Sequence, residues 1–277
     1  MVDQFQRDGF CPAPAFLAPE EIEVLLAGIE SVCAGATVAH HDAGQLEMEP
    51  DQAPEGNRVR RIYEPCTYYP EFRALSECPK LLDSVADLLG ENLLFHYSKI
   101  NMKPPSIGSA VEWHQDLAYY PLTNTDSLAV LLYLDDADET NGCLRVIPGV
   151  HRNEILNHSW NGLFRGQITE PVDGSKAVAI EGRAGTAIFL HGMTPHASAP
   201  NTSPYARRTL ILSYRAADAY PVYLGDTTVH AESHVRLARG ERLSRARFGT
   251  QEMPIPIYQG VPKSLYELQQ RFREQHS

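Results

Sequence analysis

The sequence has no apolar run approaching a bilayer span, no CxxC pair and no surplus of basic charge. The first absence predicts a chain without a transmembrane helix, because a crossing takes about 20 consecutive apolar residues. The second excludes the common cysteine-based zinc and redox motifs. The five cysteines, Cys11, Cys33, Cys66, Cys78 and Cys143, are odd in number and scattered, and read as reduced thiols of a cytoplasmic protein. The third follows from 24 Lys and Arg against 35 Asp and Glu, a formal charge of −11. That balance argues against nucleic acid or an anionic membrane as partner, yet leaves room for a local basic site that takes a small anion. A signal peptide is not expected, since Asp3, Arg7 and Asp8 interrupt the opening segment. No repeat or linker divides the chain, so residues 1–277 are expected to form a single domain. A chain of 277 residues is long enough to bury about 75% of its unfolded surface.

What is present begins with two helix signals. Pro19-Glu20-Glu21 puts proline in a first turn and acids near its positive end, and Ile22, Leu25, Leu26, Ile29 and Val32 follow on one face. A second helix is predicted from Pro79, with Leu81, Leu82, Val85, Leu88 and Leu89 apolar and Gly90 as its stop. Residues 35–58 between them lack periodicity and read as a long polar loop, a candidate lid. Beyond residue 90 short β-rich stretches recur at 93–103, 128–134, 143–147, 176–180, 186–191 and 209–215, separated by turn signals such as Asn141-Gly142 and Pro148-Gly149. Short strands after leading helices predict a mainly β sandwich or jelly roll with helices packed outside. The segment 150–175 is a candidate cover for its mouth. Arg236, Arg239, Arg242, Arg245 and Arg247 recur mostly at helical spacing, which predicts a solvated helix face, and Leu265 to Phe272 reads as a final short helix.

The chemistry-bearing residues fall in few places. Val111-Glu112-Trp113-His114-Gln115-Asp116 alternates as a strand end does, and in an extended chain residues i and i+2 point to one side. His114 and Asp116 can then reach one ion, with Gln115 pointing elsewhere or back along a cofactor. A third donor must come from another strand, and His191, which ends a β stretch, and His196 are the candidates. Two neutral imidazoles and a carboxylate on one face suit non-haem Fe(II), with open positions left for substrate and O2. The alternative for the pair alone is a His–Asp hydrogen bond bracing a turn. Arg207 and Arg208 must face opposite ways if a strand has begun, and the inward one requires an anionic partner, because a buried unpaired charge is costly. A guanidinium grips a carboxylate with two parallel bonds, which lysine cannot. Among the other histidines, His40 and His41 are expected to face solvent and His96 and His151 to be structural. His158, His230, His234 and His276 have no partner at ligand spacing.

Three stretches, His114 to Pro121, Asn141 to His151 and His196 to Arg207, resemble the phytanoyl-CoA hydroxylase family of Fe(II)- and 2-oxoglutarate-dependent dioxygenases, over roughly residues 5–220. The resemblance implies a double-stranded β-helix (a cupin-like jelly roll), a metal triad of His114, Asp116 and His196, and Fe(II), 2-oxoglutarate and O2 as reactants. It implies that Arg207, helped by Ser198, holds the distal carboxylate of 2-oxoglutarate, and that Arg61, Lys99 and Leu132 lie around the same molecule. Tyr97 and Gln115 are further expected contacts, and Lys99 stands where some relatives carry an apolar residue. The carboxylate of Asp116 disfavours halogenation, for which related enzymes substitute a small residue. The implied reaction consumes 2-oxoglutarate to succinate and CO2 while oxidising a C–H bond of a small metabolite, with an acyl-CoA as the alternative substrate. Trp113, Tyr119, Tyr120, Trp160 and Phe164 are candidates to line the substrate pocket. A metal-binding cupin or sensor that uses no 2-oxoglutarate is the competing class, and it would not need the inward arginine.

Overall fold

Pro19-Glu20-Glu21 opens a helix as its composition predicts: α2 runs Pro19–Cys33, and the Glu21 carboxylate accepts the Ala18 backbone N–H at 2.8 Å. The computed structural model describes residues 1–222, 232–249, 252–258 and 264–274, so His230 and His276 lie outside the described residues. A short α1 (Val2–Asp8) precedes α2; α3 (Pro65–Tyr68), α4 (Pro70–Ser76) and α5 (Pro79–Leu89) follow, and α6 (Leu265–Glu274) comes last. Each of α2 to α5 has proline in its first turn, where the missing N–H is no loss. Gly90 ends α5 at φ +94°. Among the described residues no helix is long and apolar enough to cross a membrane.

Two antiparallel sheets make the body. The larger joins β1 (Phe10–Ala13), β11 (Ala187–His191), β6 (Ser127–Tyr133), β13 (Arg207–Ala216), β4 (Leu93–Lys103), β3 (Val59–Tyr63) and β2 (Leu46–Met48) in that order, with β14 (Arg236–Arg239) also paired to β4. The smaller has the order β10 (Val178–Ile180), β7 (Leu144–Val146), β12 (His196–Ser198), β5 (Val111–His114). A separate hairpin pairs β8 (Ser159–Trp160) with β9 (Leu163–Phe164). The pair of sheets is the jelly roll expected of the sequence, and the expected β stretches coincide with β4, β6, β7, β10, β11 and β13.

Alternation along the strands separates the two faces of the larger sheet. Leu128, Val130, Leu132, Leu210, Leu212 and Tyr214 pack with Leu25, Ile29, Leu81 and Val85 of the helices, forming the main core. Ala129, Leu131, Tyr133 and Ile211 point the other way and meet Leu144 and Val146 of the smaller sheet. Cross-strand register carries polar residues along the same inner face. Arg61 pairs with Asn101, Asn101 with Thr209 and Thr209 with Tyr133, while Lys103 pairs with Arg207 and Lys99 with Ile211.

Three expectations are corrected. Leu132 is on the helix side of β6, so it does not face a ligand; Leu131 does, because a one-residue offset in a strand reverses the face. The polar stretch 35–58 is irregular as expected except for β2, Leu46–Met48, which forms the sheet's edge and buries Leu46. The arginines from 236 do not make a helix. β14 is an edge strand, and its charges are tied down: Arg236 to Glu77 at 2.7 Å and over the Phe95 ring at 3.8 Å, Arg239 to Asp83 and Glu91. Pairing to surface carboxylates, not helical periodicity, accounts for their spacing.

Candidate active site

His114 ends β5 and His196 begins β12, and the two are direct partners in the ladder between these strands. Asp116 opens the one-turn helix that follows β5. One ligand atom from each of the three lies within 4.8 Å of the others. The Asp116 Oδ1 atom stands 3.7 Å from His114 Nε2 and 3.9 Å from His196 Nε2, too far for hydrogen bonds but suited to donors converging on one ion. Each ring is oriented from behind: His114 Nδ1 donates to the Glu112 carbonyl at 2.8 Å, His196 Nδ1 to the Thr194 carbonyl at 3.0 Å. A carbonyl can only accept, so both Nδ1 atoms carry the proton and both Nε2 lone pairs face Asp116. Burial holds His114 well below the usual histidine range, reinforced by His196; burial also lowers His196, against the pull of Asp116. Neutral imidazoles beside a carboxylate are the donor set for non-haem iron, so the residues fit the metal that the sequence predicts.

Gln115, wedged between the two ligands, turns its side chain away from them. It is fully buried, donates to the Met193 carbonyl at 2.7 Å and accepts the Leu156 N–H at 2.8 Å. Its own N–H donates to His158 Nε2 at 3.0 Å, and His158 Nδ1 donates to the Leu156 carbonyl at 2.7 Å. Gln115 is therefore a brace for the metal-bearing turn and not a cofactor contact, which corrects the expectation. His158, to which the sequence assigned nothing, is a second brace. Nothing in its spacing reveals this, since its partner is a backbone N–H.

Arg207 and Arg208 divide as strand alternation requires. Arg208 faces outward and grips Asp135 with two bonds of 2.9 and 2.7 Å. Arg207 faces inward, only 5% exposed, and no carboxylate bonds to it. Its Nη1 donates to Thr209 Oγ1 at 2.8 Å, Nη2 to the Gly142 carbonyl at 2.6 Å, and Nε has no partner. One cavity is lined by His114, Asp116 and His196 at the metal and by Ser198, Thr209 and Arg207 away from it. A buried guanidinium held by neutral groups, in one cavity with the triad, fits a dicarboxylate that chelates the metal with one end. The Asn141-Gly142 turn is integral to this. Gly142 has φ +75°, and a Cβ there would lie 2.2 Å from the Ala199 carbonyl oxygen.

A second cavity of about 270 Å³ adjoins His114 and Asp116. Its walls include Arg61, Tyr97 and Lys99 from the sheet, Tyr119 and Tyr120 from the turn after Asp116, and Tyr258, Leu265 and Leu268 from the C-terminal region. Lys99 lines both cavities. Burial draws its ammonium down to about 8, Asp116 opposing and Arg61 reinforcing. Of the expected pocket aromatics, Tyr119 and Tyr120 are in place, and Phe164 backs Tyr119 at 5.0 Å between centroids. Trp160 is 41% exposed and packs on Phe272. Trp113 is not on either wall, and its carbonyl accepts the Ile168 N–H. His191 ends β11 beside His151, its Nδ1 accepting the Met193 N–H, away from the triad. His96 packs edge-on against Tyr120.

The helix α6 is the functional element that the sequence left unassigned. Tyr266 is buried beneath the Arg60 and Arg61 guanidiniums at 4.2 and 4.8 Å, and Gln269, fully buried, ties the helix to Gly166 and to Glu112. Leu265, Tyr266 and Leu268 thus close the mouth of the roll.

A jelly roll with two histidines and a carboxylate on its inner face, and an inward arginine in the same cavity, defines the class of iron- and 2-oxoglutarate-dependent oxygenases. Residues 5–209 match the phytanoyl-CoA dioxygenase (PhyH) family, and the chain belongs to it. A protein of Stutzerimonas stutzeri described as "probable alpha-ketoglutarate-dependent hypophosphite dioxygenase" is 33% identical over 226 residues, 79% of either chain. The methylphosphonate hydroxylase of Gimesia maris is 27% identical, covering 90% of this chain and 93% of its own. The crystal structure of EctD from S. alaskensis with 2-oxoglutarate and 5-hydroxyectoine superimposes with a TM-score of 0.65 at 26% identity, over 78% of this chain and 75% of that one.

Proposed function

We propose that residues 1–277 form one cytoplasmic catalytic domain that hydroxylates a small molecule at the expense of 2-oxoglutarate, with His114, Asp116 and His196 as the iron ligands. The observation that carries this reading is the shared cavity: three converging metal donors and, on the same walls, the guanidinium of Arg207, held by neutral groups with no carboxylate among the described residues bonded to it. Iron and 2-oxoglutarate, when bound, would supply with O2 the oxidative decarboxylation that yields succinate and CO2 and the power to oxidise an unactivated bond, one oxygen atom going to succinate and the other to the substrate. The protein's share is placement and exclusion of water. His114 and His196 present fixed Nε2 lone pairs, and Asp116 leaves the site with a single positive charge once Fe(II) is counted. Arg207 takes the far carboxylate of 2-oxoglutarate, with Ser198 on the same wall. Tyr97, Tyr119 and Tyr120 wall the adjoining cavity, where the substrate sits beside the metal. Relatives named for hypophosphite, methylphosphonate and L-proline support a small substrate. A cavity of about 270 Å³, at the lower end of ligand sites, does not enclose an acyl-CoA.

The deciding experiment is an anaerobic titration of metal-free protein with Fe(II) and then 2-oxoglutarate. A visible charge-transfer band that requires both additions supports the reading. Fe(II) binding with no band on adding 2-oxoglutarate removes the co-substrate and leaves a metal-binding cupin.

A further inference from the structure

The cavity beside the metal holds more positive charge than the metal and its co-substrate can absorb. Fe(II) brings two positive charges, Asp116 one negative, 2-oxoglutarate two negative and Arg207 one positive, which sums to zero. Lys99 and Arg61 remain: both were expected around 2-oxoglutarate, but Arg61 lines only the second cavity and Lys99 lines both, and neither is needed to balance that molecule's charge. Among the described residues no carboxylate hydrogen-bonds to Lys99, although Asp116 and Glu64 act on it from a distance; its hydrogen bond goes to the Tyr97 hydroxyl at 3.5 Å. The Arg61 Nε donates to Asn101 at 2.9 Å, its Nη1 is 4.0 Å from Glu47, and its Nη2, buried, has no hydrogen-bond partner. Glu47 is shared between Arg61 and Arg60, which it meets at 2.6 Å, so one carboxylate serves two guanidiniums. Among the described residues lining this cavity, Asp116 is the only acid. Two cations on the walls of one small cavity, Arg61 buried and Lys99 half-buried, are costly to leave without an anion, and the molecule as a whole is acidic, so a general basic surface does not explain them.

We propose that the substrate carries an oxyanion, and that Lys99 and Arg61 clasp it so that the bond to be oxidised lies beside the metal. This rests on the site reading above and adds its substrate class. Both residues are on the inner face of neighbouring strands, Arg61 opposite Asn101 and Lys99 opposite Tyr63, so the clasp is set by sheet register and not by a loop. The small cavity and the tyrosine walls require the rest of the molecule to be small. Carboxylates, phosphonates and phosphinates share this chemistry.

The test uses the anaerobic complex of the protein with Fe(II) and 2-oxoglutarate, and follows perturbation of its visible band by four probes. Hypophosphite, methylphosphonate and propionate are the anionic arms, and propionamide is the neutral one. At least one anion is expected to bind about tenfold or more tighter than propionamide, and the tightest arm separates phosphorus oxyanions from carboxylates. Lys99→Met, checked for folding by circular dichroism, is expected to weaken that anion about tenfold or more while leaving 2-oxoglutarate affinity within about threefold; Lys99→Arg is expected to restore most of the loss. Propionamide binding as well as the anions overturns the proposal, as does the failure of every anion to perturb the band. A Lys99→Met variant that weakens 2-oxoglutarate but not the anions assigns Lys99 to the co-substrate instead. Absence of the band before any probe is added is a separate failure, that of the site reading itself.

Discussion

His114 and His196 face each other across one rung of the β5–β12 ladder, their ring centroids 4.1 Å apart. The distance between the two imidazoles is therefore set by backbone hydrogen bonding, and the site is built before any metal arrives. A ligand that binds only the folded state stabilises it by mass action, about 2.7 kcal/mol at one hundred times its dissociation constant. Fe(II) under argon, or Mn(II) in air, is expected to raise the melting temperature of the wild type and not of Asp116→Ala. His191→Ala is expected to keep the response, because His191 lies away from the triad. Thermal unfolding with and without metal decides; equal shifts in wild type and Asp116→Ala would place the ion elsewhere.

Gly142 links fold and chemistry through one carbonyl. Gly142→Ala introduces a Cβ at 2.2 Å from the Ala199 oxygen in a left-handed residue, a strain of about 1–3 kcal/mol. Its carbonyl also holds Arg207 Nη2, so 2-oxoglutarate affinity should fall while Fe(II) affinity holds. Arg207→Lys provides the comparison: little loss of stability, but about tenfold or more in the KM for 2-oxoglutarate as the fork is lost. Urea unfolding and co-substrate titration on the two variants separate the effects.

His158 positions the metal-bearing turn through the Gln115 N–H, between the two ligands. His158→Leu leaves the Gln115 N–H without its acceptor, at a cost of about 1–3 kcal/mol, and frees the turn between two ligands. The expected result is a lower kcat, with more 2-oxoglutarate consumed per product formed and an unchanged KM for 2-oxoglutarate. Burial pulls His158 down to about 4, so the imidazole is neutral and accepting throughout the neutral range. Coupling measured as succinate against hydroxylated product tests this, and full coupling in the variant would refute it.

Glu64 gives a pH signature. Burial pushes its carboxyl up to about 7, against the Ser98 N–H and hydroxyl that bond to it and against Arg236 and Lys99 nearby. In the unfolded chain it titrates near 4.5. Between those values the folded state holds a proton that the unfolded state has lost, so stability falls as pH rises through the window and levels off above about 7. Glu64→Gln should remove that component. The difference in unfolding free energy between wild type and variant, measured at about pH 5 and about pH 7.5, is expected to shift against the wild type by on the order of 1–3 kcal/mol; a constant difference would show that Glu64 ionises normally.

The iron ligands were legible because a His-x-Asp pair at a strand end places both side chains on one side, and because the arginine after His196 had to answer for its burial. Six strands of the roll, β4, β6, β7, β10, β11 and β13, were legible from turn residues and β-rich stretches to within about two residues, whereas β1, β2, β3 and β12, each five residues or fewer, were not. Leu132 was misplaced for the same reason that strands are legible: a period of two makes every one-residue error a reversal of face. Gln115 was misread because its neighbours are ligands, whereas its hydrogen bonds go to Met193 and Leu156, contacts that no local pattern encodes. The arginines of β14 mimic helical spacing, and only the position of Glu77, Asp83 and Glu91 on the surface reveals their partners. The final helix was visible by its periodicity, but its place over the mouth depends on Gln269 and on the cation–π stack of Tyr266.

Family membership and the closing of the mouth come from different stretches of the chain. The family match ends at residue 209, while Tyr258, Leu265 and Leu268, which wall the cavity beside the metal, all come later. The cavity beside the metal is thus walled in part by a stretch that the family match does not reach, and substitutions at Leu265 or Leu268 are where a change in the admitted molecule is expected without any change at the ladder of His114 and His196.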